Sequence, residues 1–125
     1  MFDHVGLNVR DYETSKRFFE RALAPLGYGV VMDFPEFGGC GFGASSKPEF
    51  WIMAREPHGT GTHVAFRCED RQTVDAFHLA ALEAGATDNG EPGIREHYHP
   101  TYYGAFVLDP DGNNVEAVCH APEEG

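Results

Sequence analysis

Three side chains that commonly bind metals occupy comparable positions in apolar segments of this sequence. His4 belongs to residues 3–7 (DHVGL), and His63 occupies the same place in a later segment with the same pattern, residues 62–66 (THVAF). Glu116 lies in a third apolar segment near the end of the chain. Two imidazoles and one carboxylate suit first-row divalent metals and leave coordination positions open for a substrate. Any one of these residues alone would be an ordinary surface or core residue, so the prediction depends on all three.

The two histidine segments belong to a longer internal repeat. Asp11 corresponds to Asp70, and Phe18 to Phe77, at the spacing that separates the histidines. Each aspartate is a predicted helix N-cap, because its carboxylate can accept hydrogen bonds from free backbone amides of the first turn. Each half is therefore predicted to form a strand, a helix and three further strands. The predicted strands span residues 3–10, 28–34, 37–44, 49–54, 62–68, 86–96, 102–108 and 114–119, and the helices begin near residues 12 and 71.

The alternation of side chains along the strands predicts where the candidate ligands point. In the first, fifth and last strands one face is apolar, and this face is predicted to pack beneath the helices. The opposite face of each of these strands carries one candidate ligand, His4, His63 or Glu116. The three side chains are therefore expected on the sheet face that the helices leave uncovered, which is called the open face below.

The composition excludes several classes of function. The 125 residues carry a formal net charge of −11, from 20 acidic and 9 basic residues, which argues against nucleic acids and anionic membranes as partners. No stretch approaches the length of a membrane span and no secretory signal is visible, so a cytoplasmic location is expected. The three cysteines lie in apolar, strand-like segments, as expected of buried thiols in a reducing compartment.

With these motifs the chain resembles the vicinal oxygen chelate superfamily, which includes glyoxalase I, extradiol dioxygenases and bleomycin-resistance proteins. The resemblance extends over nearly the whole chain, and its most specific parts are His4, residues 62–66 and residues 109–116 (DPDGNNVE). It implies an α+β fold in which two βαβββ modules pair into an open, cupped mixed sheet. The implied boundaries are a single domain at residues 1–125, with modules at about residues 1–56 and 61–120.

The resemblance also implies a divalent metal in the cup, bound by His4, His63 and Glu116. Its identity stays open among zinc, nickel, iron, manganese and cobalt. In glyoxalase I proper a fourth protein ligand comes from the strand that matches residues 50–53 of this chain. The open-face residues of that strand are expected to be Trp51 and Met53, which are not such ligands, so a strict glyoxalase I assignment is not favoured. Members of the superfamily often dimerise, so a homodimer is a further expectation.

Two residues near the seventh strand are candidates for proton transfer. Tyr103 and His99 belong to a cluster of histidines and tyrosines, residue types that serve as acids and bases near a metal. Tyr103 is preferred to Tyr102 because it shares strand parity with Ala105 and Val107 on the predicted open face. The alternative is an aromatic rim that packs against the other module or a second subunit.

A small-molecule substrate would also need walls to bind against. Trp51 and Met53 could form an apolar wall, although packing in the core is an alternative for both. Arg67 shares the predicted face of His63 and is a candidate for contact with a charged group of the substrate, although Arg10, Arg67 and Arg95 are scattered and form no basic cluster.

The sequence thus favours a divalent-metal-dependent enzyme acting on a substrate that chelates metal through adjacent oxygens. Lyase or isomerase chemistry of the glyoxalase kind and dioxygenase chemistry of the extradiol kind both remain open. The alternative class is a metal-free protein that binds a drug or another small molecule, as bleomycin-resistance proteins do. An accessory ligand-binding module is a third alternative.

Overall fold

The computed structural model describes residues 1–122; residues 123–125, which end the predicted domain, lie outside the described residues. The described part contains two α-helices and eight strands, in an order that repeats one unit of strand, helix and three strands. In chain order these are β1 (Val5–Val9), α1 (Tyr12–Ala22), β2 (Gly29–Phe34), β3 (Gly39–Gly43), β4 (Phe50–Ala54), β5 (His63–Cys68), α2 (Arg71–Glu83), β6 (Thr87–Ile94), β7 (Tyr103–Leu108) and β8 (Asn114–Cys119).

The strands form two four-stranded mixed sheets with the same topology, β1-β4-β3-β2 and β5-β8-β7-β6. The pairs β1–β4 and β5–β8 run parallel, and all other neighbouring strands run antiparallel. Neither sheet closes into a barrel, and each carries one helix. The predicted α+β class and the pairing of two βαβββ units into an open mixed-sheet fold are confirmed.

Both predicted helix caps are present. The Asp11 carboxylate accepts hydrogen bonds from the backbone amides at positions 13 and 14, and the Asp70 carboxylate accepts one from the amide of Thr73. These bonds satisfy amides that have no partner within the helix. Helix α1 ends at Ala22, because the next residues form a 3₁₀ turn that Gly27 closes in the left-handed conformation, at φ 81°.

A single apolar cluster lies between the sheets and the helices of both halves. At its centre Phe50 of β4 contacts Phe19 of α1 and Phe66 of β5, with ring centroids 5.0 and 5.3 Å apart. The apolar strand faces that were predicted to lie beneath the helices are buried there, with partial exposure at their outer ends. The strand parity of β1, β5 and β8 is therefore as predicted.

The β7–β8 turn connects the two halves through buried polar groups. The Asp111 carboxylate accepts a hydrogen bond from the backbone N–H of Arg10, at 2.9 Å, and the Asn113 side-chain oxygen accepts one from the N–H of Thr62, at 3.1 Å. Asp109 accepts the amides of Asp111 and Asn113 within the turn. These bonds place the C-terminal end of β1 beside the N-terminal ends of β5 and β8.

Candidate metal centre

His63 and Glu116 form the centre of the candidate site. Glu116 pairs with Ala65 in the β5–β8 register, so Glu116, Ala65 and His63 share the open face of the second sheet. His63 Nε2 lies 2.7 Å from Glu116 Oε1. The Glu116 side chain is 1% exposed, whereas the His63 side chain is 51% exposed. A buried carboxylate with an accessible imidazole bound to it is a polar arrangement that apolar packing alone does not require.

Tyr102 completes the polar contacts of Glu116. Its hydroxyl donates a hydrogen bond to Glu116 Oε2, so each carboxylate oxygen has its own partner. Burial raises the pKa of the Tyr102 phenol above its ordinary value, and the hydrogen bond to the Glu116 carboxylate adds to the increase. Strand parity favoured Tyr103 over Tyr102 as a site residue, so this contact was not predicted.

A glycine makes room for this contact. A Cβ atom at Gly104 in β7 would lie 3.1 Å from Tyr102 Cε1 and 3.4 Å from Glu116 Oε2. The first distance is tighter than most contacts of real Cβ atoms. The absence of a side chain at position 104 therefore lets the Tyr102 ring lie close to the strand and reach Glu116. The sequence signal for this arrangement is a glycine two residues after a tyrosine at the start of a strand.

The predicted orientation of Tyr103 is wrong. Its hydroxyl donates a hydrogen bond to Asp75 of helix α2, at 2.6 Å, and its ring lies beneath the guanidinium of Arg71, so it faces the helix side. Ala105 and Val107, which share its parity, are fully buried in the apolar cluster. Tyr103 is thus on the face of the sheet opposite to His63 and Glu116.

His99 lies in the turn that precedes β7. Its Nδ1 accepts a hydrogen bond from the backbone N–H of Thr101, at 3.2 Å, and its ring centroid is 6.4 Å from that of His120. His120 in turn packs against Tyr102 in an edge-to-face contact at 5.3 Å. His99 is therefore separated from the His63–Glu116 pair by two aromatic rings.

His4 does not join His63 and Glu116 within the described residues. It precedes β1 rather than lying in it, and its Nδ1 is 2.7 Å from the carboxylate of Asp3. It lines a cavity of about 260 Å³ that includes Ala65 and Arg67 but neither His63 nor Glu116. Within residues 1–122 no group of three or more histidine, cysteine, aspartate or glutamate side chains is placed to hold a metal ion.

The predicted wall residues divide between the two sheets. Trp51 and Met53 alternate with the buried residues of β4 and lie on the open face of the first sheet, as their parity predicted. Trp51 stacks on Phe34, with ring centroids 6.3 Å apart. Arg67 is exposed beside His4, on the face of β5 that carries His63.

A second arginine, Arg95 just after β6, packs on a residue of β7 that neighbours the His63–Glu116 pair. Phe106 pairs with Glu116 in the sheet, and its ring centroid is 6.3 Å from that of His63. The Arg95 guanidinium lies 5.3 Å from the centroid of the Phe106 ring and donates to the backbone carbonyls of Gly93 and Glu91. This placement brings a permanent positive charge to the open face of the second sheet.

Comparison with known proteins identifies the family. The Glyoxalase/Bleomycin resistance protein/Dioxygenase superfamily matches the chain over residues 1–117. A glyoxalase/bleomycin resistance protein from Albidiferax ferrireducens T118, known from its crystal structure, shares 31% sequence identity with a TM-score of 0.83, over 95% of this chain and 98% of its own. The chain therefore belongs to the glyoxalase, bleomycin resistance protein and dioxygenase superfamily.

More distant solved structures share the fold. A glyoxalase/bleomycin resistance protein/dioxygenase family enzyme from Burkholderia phytofirmans PsJN shows 21% identity and a TM-score of 0.72, over 95% of this chain and 98% of its own. A glyoxalase-related enzyme from Fulvimarina pelagi shows 17% identity and a TM-score of 0.73, over 95% of this chain and 87% of its own. The comparison with curated proteins gives no significant match. Among the described residues no helix is long and apolar enough to cross a membrane.

Proposed function

We propose that this protein is a divalent-metal-dependent enzyme whose small-molecule substrate chelates the metal through two adjacent oxygens. His63 and Glu116 are two of the metal ligands. The observation that carries the proposal is the burial of Glu116, which is 1% exposed yet holds His63 at 2.7 Å on an otherwise open sheet face. Burying a carboxylate costs free energy unless the group has partners that compensate its lost hydration. A metal ion shared with His63 would be a strong partner of this kind.

The third ligand in this proposal is His4 of a second copy of the chain. Within one chain, the hydrogen bond between Arg10 and Asp111 holds the C-terminal end of β1 beside the start of β5. His4 lies at the opposite end of β1, roughly 20 Å from Arg10 along an extended strand. It cannot reach His63 in the same chain without unpairing β1, but a homodimer can bring the two together across its interface.

A second copy would also cover apolar surface that the monomer exposes. Met32 and Phe34 of β2 are each 42% exposed, and Phe37 after β2 is 81% exposed. The Phe34 ring stacks on Trp51, so the apolar surface extends across the open face of the first sheet. An apolar patch of this kind on a small protein favours an interaction site.

The chemistry of the proposed site follows from the ligand set. A bound divalent ion would act as a Lewis acid on oxygens of the substrate, and two histidines with one carboxylate would leave positions for two such oxygens. Arg95 above Phe106 offers a positive charge to an anionic substrate, and Trp51 with Met53 offers an apolar wall across the interface. This arrangement is compatible with lyase or isomerase chemistry of the glyoxalase kind. It is equally compatible with dioxygenation of the extradiol kind.

Complementation between two inactive variants tests the shared site. His4→Ala and His63→Ala should each abolish stoichiometric binding of Co(II), Ni(II) or Zn(II). When the two variants are mixed and allowed to exchange subunits, each heterodimer regains one intact site, because His4 of one copy meets His63 of the other. If subunits exchange at random, about half of the dimers are heterodimers, and each has one of the two wild-type sites. Calorimetry should then detect about a quarter of the wild-type number of sites per chain. Recovery of no sites, with heterodimers present by mass spectrometry, would contradict the shared site.

The competing function is metal-free binding of a small molecule. It is favoured by the fact that both oxygens of Glu116 already have hydrogen-bond partners, His63 and Tyr102, within one chain. Metal titration separates the two functions. The affinity for a small ligand is measured with and without a metal chelator, and in the Glu116→Gln variant. An affinity that neither change alters would support the metal-free alternative and exclude the enzyme as proposed.

A further inference from the structure

We propose that Arg95 forms an anion-binding position on the open face of the second sheet, beside the His63–Glu116 pair. The ligand is a small organic anion whose acid group pairs with the Arg95 guanidinium and whose body lies across Phe106 toward His63. The inference deepens the proposed function by naming the charge of the substrate, and it rests on that function only in taking the His63–Glu116 pair as the place of reaction. Because the position consists of protein groups alone, it can be tested without a metal.

The Arg95 guanidinium is anchored to the backbone, which is the first support. Its Nη1 donates to the carbonyl of Gly93 and its Nη2 donates to that of Glu91, both at 2.8 Å. The backbone N–H of Arg95 donates to the carbonyl of Tyr102, also at 2.8 Å, so both ends of the residue are held. A side chain held in this way has already lost much of the rotamer freedom that pairing with a ligand would otherwise cost.

Two glycines of β6 provide the space that the guanidinium occupies, which is the second support. A Cβ atom at Gly90 would lie 3.2 Å from Arg95 Nη2 and 2.9 Å from Phe106 Cδ1, and a Cβ atom at Gly93 would lie 3.2 Å from Arg95 Nη1. These distances are shorter than those that real Cβ atoms usually keep. Gly90 also has a φ of 152°, which residues with side chains rarely adopt. Strand β6 is therefore shaped to accept Arg95 beside the ring of Phe106.

The guanidinium keeps donors and charge for a ligand, which is the third support. A guanidinium has five N–H groups, and the bonds to the two backbone carbonyls use only two of them. Among residues 1–122 no carboxylate forms a salt bridge with Arg95, although the exposed Glu91 and Glu96 are close to it in sequence. The remaining N–H groups can pair with two oxygens of one acid group. The positive charge is therefore available to an anion from outside the chain.

Phe106 connects this position with the candidate site. Its ring centroid is 5.3 Å from Arg95 Cζ and 6.3 Å from the centroid of the His63 ring. Phe106 pairs with Glu116 in the sheet, so its side chain lies on the same face as that carboxylate, and a flat apolar ligand can pack on its ring. The negative charge of Glu116 lies beside His63, so it disfavours an acid group there. The acid group is therefore expected at Arg95, and an uncharged part of the ligand at His63.

The test uses benzoate as the probe and benzamide as its uncharged counterpart of the same shape. Affinities are measured by NMR titration of ¹⁵N-labelled protein that has been freed of metal and dialysed, with the backbone amide of Phe106 and the Nε–H of Arg95 as local reporters. Wild type is compared with Arg95→Gln, which removes the charge, and with Gly93→Ala, which displaces the guanidinium but keeps it. Arg17→Gln is the matched control, since it removes an exposed arginine from helix α1. Circular dichroism checks that each variant is folded, and the formal net charge of −11 disfavours adsorption of benzoate elsewhere.

Wild type should bind benzoate more tightly than benzamide. Arg95→Gln should weaken benzoate binding by about 10-fold or more, because charge-assisted hydrogen bonds are lost, and should leave benzamide binding unchanged. Gly93→Ala should weaken benzoate binding by a smaller factor, and Arg17→Gln should not change it. Absence of benzoate binding to wild type, or equal benzoate affinity in wild type and a folded Arg95→Gln variant, would overturn the inference. Neither outcome depends on metal binding by His63 and Glu116, so a failure of this inference is distinct from a failure of the proposed function.

Discussion

Replacement of Tyr102 by phenylalanine should lower the free energy of unfolding of the metal-free protein by about 1.5–2 kcal/mol. A hydrogen bond to a charged group contributes about 1.5–3 kcal/mol, and the lower part of that range applies because Tyr102 is only half-buried and water can partly replace it. The loss would leave Glu116 Oε2 buried without its donor, since Glu116 is 1% exposed. Urea denaturation, followed by circular dichroism and by the fluorescence of Trp51, measures the change.

The same substitution in a Glu116→Gln background isolates the contact. A glutamine keeps the shape and an oxygen that can accept the Tyr102 hydroxyl, but it removes the charge, so the hydrogen bond contributes only about 0.5–1.5 kcal/mol there. The two substitutions should therefore be non-additive by roughly 1 kcal/mol. Additivity within about 0.4 kcal/mol would refute the reasoning, because it would mean that the negative charge of Glu116 does not strengthen the hydrogen bond from Tyr102.

Two further predictions concern the opposite face of the sheet and the buried thiols. Tyr103→Phe should leave Co(II) affinity unchanged, because its hydroxyl bonds to Asp75 on the helix side. The free energy of unfolding should fall by no more than about 1 kcal/mol, because Asp75 is exposed and water can replace the lost hydrogen bond. A large loss of affinity would restore Tyr103 to the site. Burial raises the pKa of the Cys40 and Cys68 thiols to about 11 from an ordinary value of 9.0. Between pH 9 and 11 the unfolded chain loses thiol protons that the folded chain keeps. The free energy of unfolding should therefore fall as the pH rises through this range. Urea midpoints across this range, compared with those of Cys40→Ala and Cys68→Ala, should show a smaller fall in the variants.

The sequence predicted those parts of the fold that depend on local patterns. The N-caps at Asp11 and Asp70 were predictable because capping requires only a carboxylate and the next few amides. The orientation of His63 and Glu116 followed from alternation, because β5 and β8 each have one face beneath a helix. These signals lie within a few residues of the side chains that they position.

The orientation of β7 could not be predicted in the same way. Both of its faces carry apolar residues, with Ala105 and Val107 in the apolar cluster and Phe106 beside His63 on the open face. A strand that is covered on both sides loses the alternation that reveals its orientation. The prediction therefore placed Tyr103 on the wrong face and missed Tyr102.

The location of His4 depends on contacts between distant parts of the chain. The internal repeat predicted that His4 and His63 occupy equivalent places, but equivalence does not bring them together. The distance between them depends on how the two sheets are joined, and the Arg10–Asp111 hydrogen bond that joins them spans 101 positions of sequence. The repeat contains no information about that contact, and the assignment of His4 as a metal ligand remains a prediction that needs a second chain.

Metal stoichiometry tests the central claim most directly. Wild-type protein, loaded with Zn(II) or Co(II) and freed of excess ions by gel filtration, should retain one ion per chain by elemental analysis, and Glu116→Gln should retain none while unfolding at a similar urea concentration. Retention of no ion by the wild type, or equal retention by wild type and Glu116→Gln, would contradict the assignment of His63 and Glu116 to a metal centre.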